Sequence, residues 1–243
     1  MRKFTQLLLA VAIAAPVQAI AASPISQAVA DSSRPADQRS ADALRKPAET
    51  LAFAGVKPGM TVGEFYPGGG YFTRMLSDVV GPKGHVYGIE NDRWKESVEA
   101  NKALAAKLKN VTMDSGPFGT VAFPKPLDLA WVTQNYHDLK IAKYGKVDTL
   151  AFDRAVYKAL KPGGVFFILD HQGAANLTDA DIEKLHRINR DVVVKEVTAA
   201  GFKLVGEGKF LRRPADDHTK PIFDESIRGH TDQYALKFVK ARG

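Results

Sequence analysis

Cysteine is absent from the 243 residues, which removes disulfides, lipid attachment through a thiol and thiolate metal ligands from consideration. Long apolar runs are nearly absent as well. The one that stands out, Leu7 to Val17, follows Arg2 and Lys3 and precedes Ala19-Ile20-Ala21. It is short for a bilayer span and has the layout of a secretory signal peptide, with cleavage expected after Ala19, Ala21 or Ala22. No twin-arginine pair accompanies it, so the chain is expected to cross the membrane unfolded and to stay soluble, in the periplasm or secreted, without stable membrane insertion. A basic stripe is missing too. The net charge of +7 includes Arg2 and Lys3, the remaining bases are interspersed with acids, and Arg212-Arg213 is the one late doublet. Nucleic acid is therefore not an expected partner. Six histidines are present, but no pair has ligand spacing on one element, and no metal is expected. Internal repeats and low-complexity tracts are lacking.

What is present suits one α/β domain, with 45% hydrophobic residues available for its core. The expected division is a signal peptide at 1–22, an extended arm at 23–39 that is rich in Ala, Ser, Asp, Arg and Pro without periodicity, and a single domain at 40–243. Everything in that domain is arranged around Val62-Gly63-Glu64-Phe65-Tyr66-Pro67-Gly68-Gly69-Gly70-Tyr71-Phe72. A short apolar strand ends in an acid, turns through glycines and enters a helix marked by Phe72, Met75, Leu76, Val79 and Val80. Glycines suit this place because the backbone turns sharply and a ligand is to lie against bare peptide groups at a helix N-terminus. His85 to Glu90 forms a second strand, also ending in a carboxylate. Glu90 lies about twenty residues past the turn, where nucleoside-binding units hydrogen-bond the ribose hydroxyls.

The alternation continues. A helix carries Trp94, Val98, Asn101, Ala105 and Leu108, and Val111 to Asp114 is a third strand. Leu127 to Val132 is a fourth strand, apolar enough to be buried on both faces. A helix from Val147 to Leu160 leads through Lys161-Pro162-Gly163-Gly164 into a fifth strand, Val165 to Asp170. Thr178 caps a long helix bearing Ile182, Leu185, Val192, Val193 and Val197. Phe202 to Leu211 and Tyr234 to Val239 then read as two strands without a helix between them, and so as an antiparallel pair. The expected fold is α/β, a doubly wound, Rossmann-like, seven-stranded and mostly parallel sheet with an antiparallel last strand.

These residues resemble the class I S-adenosylmethionine-dependent methyltransferases, and more narrowly a bacterial group of predicted methyltransferases that carry a signal peptide. The resemblance extends from about Arg39 to Lys240. Glu64, Gly68 and Gly70 fall on the family's cofactor loop, and Glu90 on its ribose-binding acid. Asp114 falls on the residue beside the adenine, and Leu160-Lys161-Pro162-Gly163-Gly164 on the turn before the fifth strand. Tyr66 departs from the pattern, standing where the first glycine is usual; its phenol either clashes with the cofactor or stacks on it and bonds to it. The resemblance implies S-adenosylmethionine as cofactor and methyl transfer to a small-molecule acceptor. A binding protein that kept the fold and lost the reaction is the competing class, and a nicotinamide oxidoreductase is a third reading.

Methyl transfer from a sulfonium asks the protein mainly to align donor and acceptor and, where needed, to remove a proton. Topology places the acceptor at the ends of the fourth and fifth strands. There Asn135 and Tyr136 are expected to line the cofactor, with His137 as candidate base and Asp138 beside it, and Asp170 and His171 in reserve. The polar loop from Pro214 to Gly229 is expected to cover the substrate pocket or to be surface. Arg45 and Lys46 could pair with the cofactor's carboxylate.

Overall fold

Four short helices precede the first strand in the computed structural model, which describes residues 22–242. They are α1 (Pro24–Ala30), α2 (Ala36–Ser40), α3 (Asp42–Arg45) and α4 (Pro47–Ala54). The expected leader lies, but for Ala22, outside the described residues. The stretch 23–39, expected as an extended arm, is instead largely helical. Ser23 caps α1 by accepting from the Ser26 N–H, Pro24 occupies the first helical turn, and Ala28 is buried in the core. A segment this short has no readable period, and it buries little: Ala28 is the one buried residue of α1, and α2 has none.

The rest alternates: β1 (Thr61–Phe65), α5 (Tyr71–Val80), β2 (His85–Asn91), α6 (Lys95–Ala105), β3 (Val111–Gly116), β4 (Leu127–Thr133), α7 (Thr149–Ala159), β5 (Leu160–His171), α8 (Asp179–Leu185), α9 (Arg190–Ala199), β6 (Lys203–Gly208) and β7 (Gln233–Val239). The seven strands form one sheet in the order β3-β2-β1-β4-β5-β7-β6. β7 runs antiparallel to both β5 and β6, and the pairings among β3, β2, β1, β4 and β5 are parallel. This is the expected fold.

Two hydrophobic layers hold the sheet. Ala130 and Val132 of β4 face a cluster with Phe152, Val156, Val193 and Val197, while Leu129 and Trp131 face the other side with Leu51, Phe72, Met75 and Leu76. The period of two sends alternate residues to opposite faces, and both faces are covered, so every position there must be apolar. Strand order reverses between β1 and β4, which opens a crevice at their carboxyl ends. One expected element differs: the long helix after Thr178 is broken into α8 and α9, with His186 in a left-handed conformation, φ 53°, at the break. Among the described residues, no helix is long and apolar enough to cross a membrane.

Candidate functional site

The site begins at the end of β1. Gly68 and Gly70 both have positive φ, 54° and 72°, and a Cβ on Gly70 would lie 2.3 Å from Leu104 Cδ2, so the turn needs glycine there. Glu64 beneath it is 2% exposed and accepts a 2.6 Å hydrogen bond from Thr73 Oγ1. Burial pushes its carboxyl up to about 8, opposed by the Thr73 bond, with Glu90 adding to the rise and Arg45 working against it. The Arg45 guanidinium lies 3.9 Å from the centre of the Tyr71 ring and donates to Gln134 Oε1 at 3.2 Å.

Tyr66 keeps a glycine-like backbone, φ 56°, a conformation that costs a non-glycine residue about 1–2 kcal/mol. Its ring offsets this by stacking on Phe118 at 4.2 Å, and its hydroxyl accepts from the Gly119 N–H at 3.0 Å. Glu90 is buried and already engaged. One oxygen accepts from the Asn91 N–H at 2.9 Å; the other accepts from the Gly68 N–H at 3.0 Å and from Asn101 Nδ2 at 3.1 Å. Asp114 is exposed, accepts from the Ser115 N–H, and lies in a recess of about 50 Å³ with Asn101.

The second half of the site follows β4. Tyr136, expected near the cofactor, points instead into the core, fully buried, where its hydroxyl donates to Asp153 at 2.8 Å. Asn135 Nδ2 donates to Asp138 Oδ2 at 2.9 Å. His137 and Asp138 are buried, not facing open water. Asp170, at the end of β5, accepts from both the His137 backbone N–H and its Nδ1, each at 2.8 Å. The other nitrogen of His137 lies 3.1 Å from Asp138 Oδ1 and 3.2 Å from His186 Nδ1. Burial opposes a charge on His137, but the carboxylates of Asp170 and Asp138 outweigh it and lift the imidazole to about 10. In that state it holds its proton at neutral pH, and acting as a base would require that proton to leave first. His171 behaves oppositely. Burial, only partly countered by Asp170, pushes it down to about 3, and it pairs with Thr231 Oγ1 at 2.8 Å.

Two cavities lie along this edge. The smaller, about 330 Å³, is walled by Glu64, Tyr66, Gly68, Gly69 and Asn135. The larger, about 670 Å³, is walled by His137, Asp138, His171 and His186 and roofed by Ile222, Phe223 and Arg228. Of the loop from Pro214 to Gly229, Ile222, Phe223, Arg228 and Gly229 line this cavity. Ala41, Arg45, Gln134 and Asn135 belong to both walls. Of the residues expected at the cofactor, Glu64, Tyr66, Gly68 and Asn135 border the smaller cavity, whereas Gly70, Glu90 and Asp114 border neither of the two. His186 is the residue that sequence reasoning missed; the one hint was Asn189, a good cap residue three positions on, which marks the helix break.

No protein-family model matches the chain. Among curated proteins, the ubiquinone/menaquinone biosynthesis C-methyltransferase UbiE of Ectopseudomonas mendocina is 26% identical over 196 residues, 77% of this chain and 66% of that protein. Its counterpart from Shewanella piezotolerans is 25% identical over 193 residues, 77% of this chain and 67% of the relative. Among solved structures, an S-adenosylmethionine-dependent methyltransferase from Aquifex aeolicus aligns with a TM-score of 0.58 at 20% identity, covering 82% of this chain and 97% of the other. The [4+2]-cyclase SpnF aligns with a TM-score of 0.61 at 15% identity over 90% and 93% of the two chains. The fold is that of the S-adenosylmethionine-dependent methyltransferases.

Proposed function

We propose that this protein transfers a methyl group from S-adenosylmethionine to a small-molecule acceptor held in the larger cavity. The observation that carries the reading is the pair of adjoining cavities at the point where strand order reverses, one against the glycine turn and one over the loop after β4, with Arg45, Gln134 and Asn135 at their junction. The smaller cavity suits the methionine end of the cofactor. Arg45 offers a guanidinium for a carboxylate, Glu64 an acid for a cation, and Gly68 and Gly69 leave the backbone bare. The cofactor supplies a methyl group already activated on a cationic sulfur. The protein's own work is to bind and orient both partners and to keep water out, and the burial of His137, Asp138 and Asp170 makes the acceptor side a place of low dielectric. The nucleoside end is less open. Three protein donors already engage Glu90, so a ribose that binds it through both hydroxyls would displace one of them, such as the Gly68 N–H.

Calorimetry of the purified chain with S-adenosylmethionine, S-adenosylhomocysteine and NAD tests the reading. The first two should bind and NAD should not. Glu90→Ala should weaken binding roughly ten- to a hundredfold, since hydrogen bonds to a charged group are worth about 1.5–3 kcal/mol. Absence of binding by both sulfur compounds would sink it. The three protein donors on Glu90 and the aromatic packing of Tyr66 favour a second reading, a binding protein that uses only the larger cavity. The proposal includes export through the N-terminal leader; N-terminal sequencing of the fractionated protein should find the chain starting at Ile20, Ala22 or Ser23, and an intact Met1 in the cytosol would refute it.

A further inference from the structure

His137 Nε2, Asp138 Oδ1 and His186 Nδ1 stand at the corners of a nearly equilateral triangle with sides of 3.1, 3.2 and 3.3 Å. Three donor atoms at about 2.1 Å from one ion, at tetrahedral to octahedral angles, are about 3.0–3.4 Å apart. The triangle has the size a coordinated ion requires.

The surroundings prepare two of the three corners. His137 gives its Nδ1 to Asp170 at 2.8 Å; once an incoming ion displaces the second ring proton, the Nε2 lone pair faces the triangle, the usual arrangement of a ligating histidine backed by a carboxylate. Asp138 is held through Oδ2 by Asn135 at 2.9 Å, while its buried Oδ1 faces the two imidazole nitrogens, His137 Nε2 at 3.1 Å and His186 Nδ1 at 3.3 Å. With lone pairs of both rings turned toward it, that oxygen has no donor, a state that costs about 1–3 kcal/mol, more when charged, and an ion at the centre of the triangle relieves it. His186 is brought in by the break between α8 and α9, 49 residues along the chain from His137; its Nε2 lies 3.5 Å from Lys143 Nζ, so ligation through Nδ1 requires the ring proton on Nε2 and that ammonium turned aside. All three residues line the cavity of about 670 Å³, so three ligands on one side leave coordination positions open toward it. Two imidazole nitrogens, one carboxylate oxygen and no thiolate make a donor set suited to zinc, iron or manganese rather than to calcium or magnesium.

We propose that His137, Asp138 and His186 bind one first-row divalent transition-metal ion, whose open positions take an oxygen donor from the ligand of the larger cavity. The ion binds whether or not the protein transfers methyl groups; its effect on an acceptor hydroxyl, which it would hold and make easier to deprotonate, rests on that reading. A proton shared among the same groups is the competing state.

The test uses the full chain, freed of metal by a chelator and titrated with Zn²⁺ and separately with Co²⁺. One Zn²⁺ should bind per chain with Kd below about 1 μM, and Co²⁺ should give the visible absorption of a nitrogen- and oxygen-ligated ion. Asp138→Asn and His186→Asn should each weaken Zn²⁺ by about a hundredfold or more; Asn tolerates the left-handed backbone at position 186. Should a variant fail to fold, the wild-type chain still decides, because a specific ion must raise its unfolding temperature with increasing Zn²⁺. No stoichiometric binding, no rise in unfolding temperature, or folded variants that bind as tightly as wild type would overturn the proposal. S-adenosylmethionine calorimetry is read separately, so either idea can fail while the other stands.

Discussion

Glu64 shows how much chemistry one buried acid can carry. Its carboxyl titrates at about 8 in the folded chain against an ordinary 4.5, so between those values the folded state holds a proton that the unfolded state has lost. Stability contributed by that proton is present below about pH 4.5 and lost as pH rises through about 8. Glu64→Gln should flatten that part of the stability profile in urea titrations at successive pH values, and an unchanged slope would show that Glu64 is ionised in the fold. The same acid borders the smaller cavity. A sulfonium or ammonium group arriving there favours the carboxylate, so binding of S-adenosylmethionine at pH 7 should release up to about one proton. Calorimetry in buffers of different ionisation enthalpy measures it directly; a heat independent of buffer, or release that persists in Glu64→Gln, would remove Glu64 from the cofactor site.

At the scale of elements, the break between α8 and α9 is where sequence and structure part most clearly. Ile182, Leu185, Val192 and Val193 keep a spacing that reads as one helix, and locally nothing but Asn189 speaks against it. In the structure Asn189 accepts from the Asp191 N–H at 2.8 Å, starting a new helix. Arg187 is fully buried, forked onto Asp216 at 2.8 and 3.0 Å, and donates to the carbonyls of Gln172 and Lys220. Those partners lie far along the chain or in the covering loop, so no local pattern announces them. The strands were legible for the opposite reason: apolar runs, the glycine turn and the missing crossover helix before β7 are local signals. The site was legible in part. Glu64, Gly68 and Asn135 follow from strand ends and topology, whereas the engagement of Glu90 by Gly68 and Asn101 depends on side-chain packing, and His186 depends on the break. Arg187→Met should cost about 3–5 kcal/mol in urea unfolding, because it strands the buried Asp216 carboxylate. A loss under about 1 kcal/mol would mean the loop is not anchored there.

Across the whole molecule, a chain of polar contacts ties the N-terminal helices to the far side of the sheet. Arg34, 1% exposed, forks onto Asp42 at 2.8 and 2.7 Å and donates to the Val29 carbonyl at 2.6 Å. Asp42 also accepts from the Tyr71 hydroxyl at 2.7 Å, at the start of α5. Arg45 lies over the Tyr71 ring and reaches Gln134, and Gln134 donates to Gln233 Oε1 of β7 at 3.1 Å. Ala41 and Arg45 wall both cavities, so the N-terminal helices contribute residues directly to the binding edge. Arg34→Met removes the fork and leaves Asp42 without its main partner. The Asp42 side chain keeps 23% of its surface in water, so the cost should be below that of a fully buried pair, about 1–3 kcal/mol. Arg34→Lys should recover only part of it, since an ammonium cannot fork onto a carboxylate. If the helices shape the site, Arg34→Met should also weaken S-adenosylmethionine binding by about tenfold at a temperature where the variant remains folded. Lower stability with unchanged affinity would make the N-terminal helices a strap on the core that leaves the cavities alone.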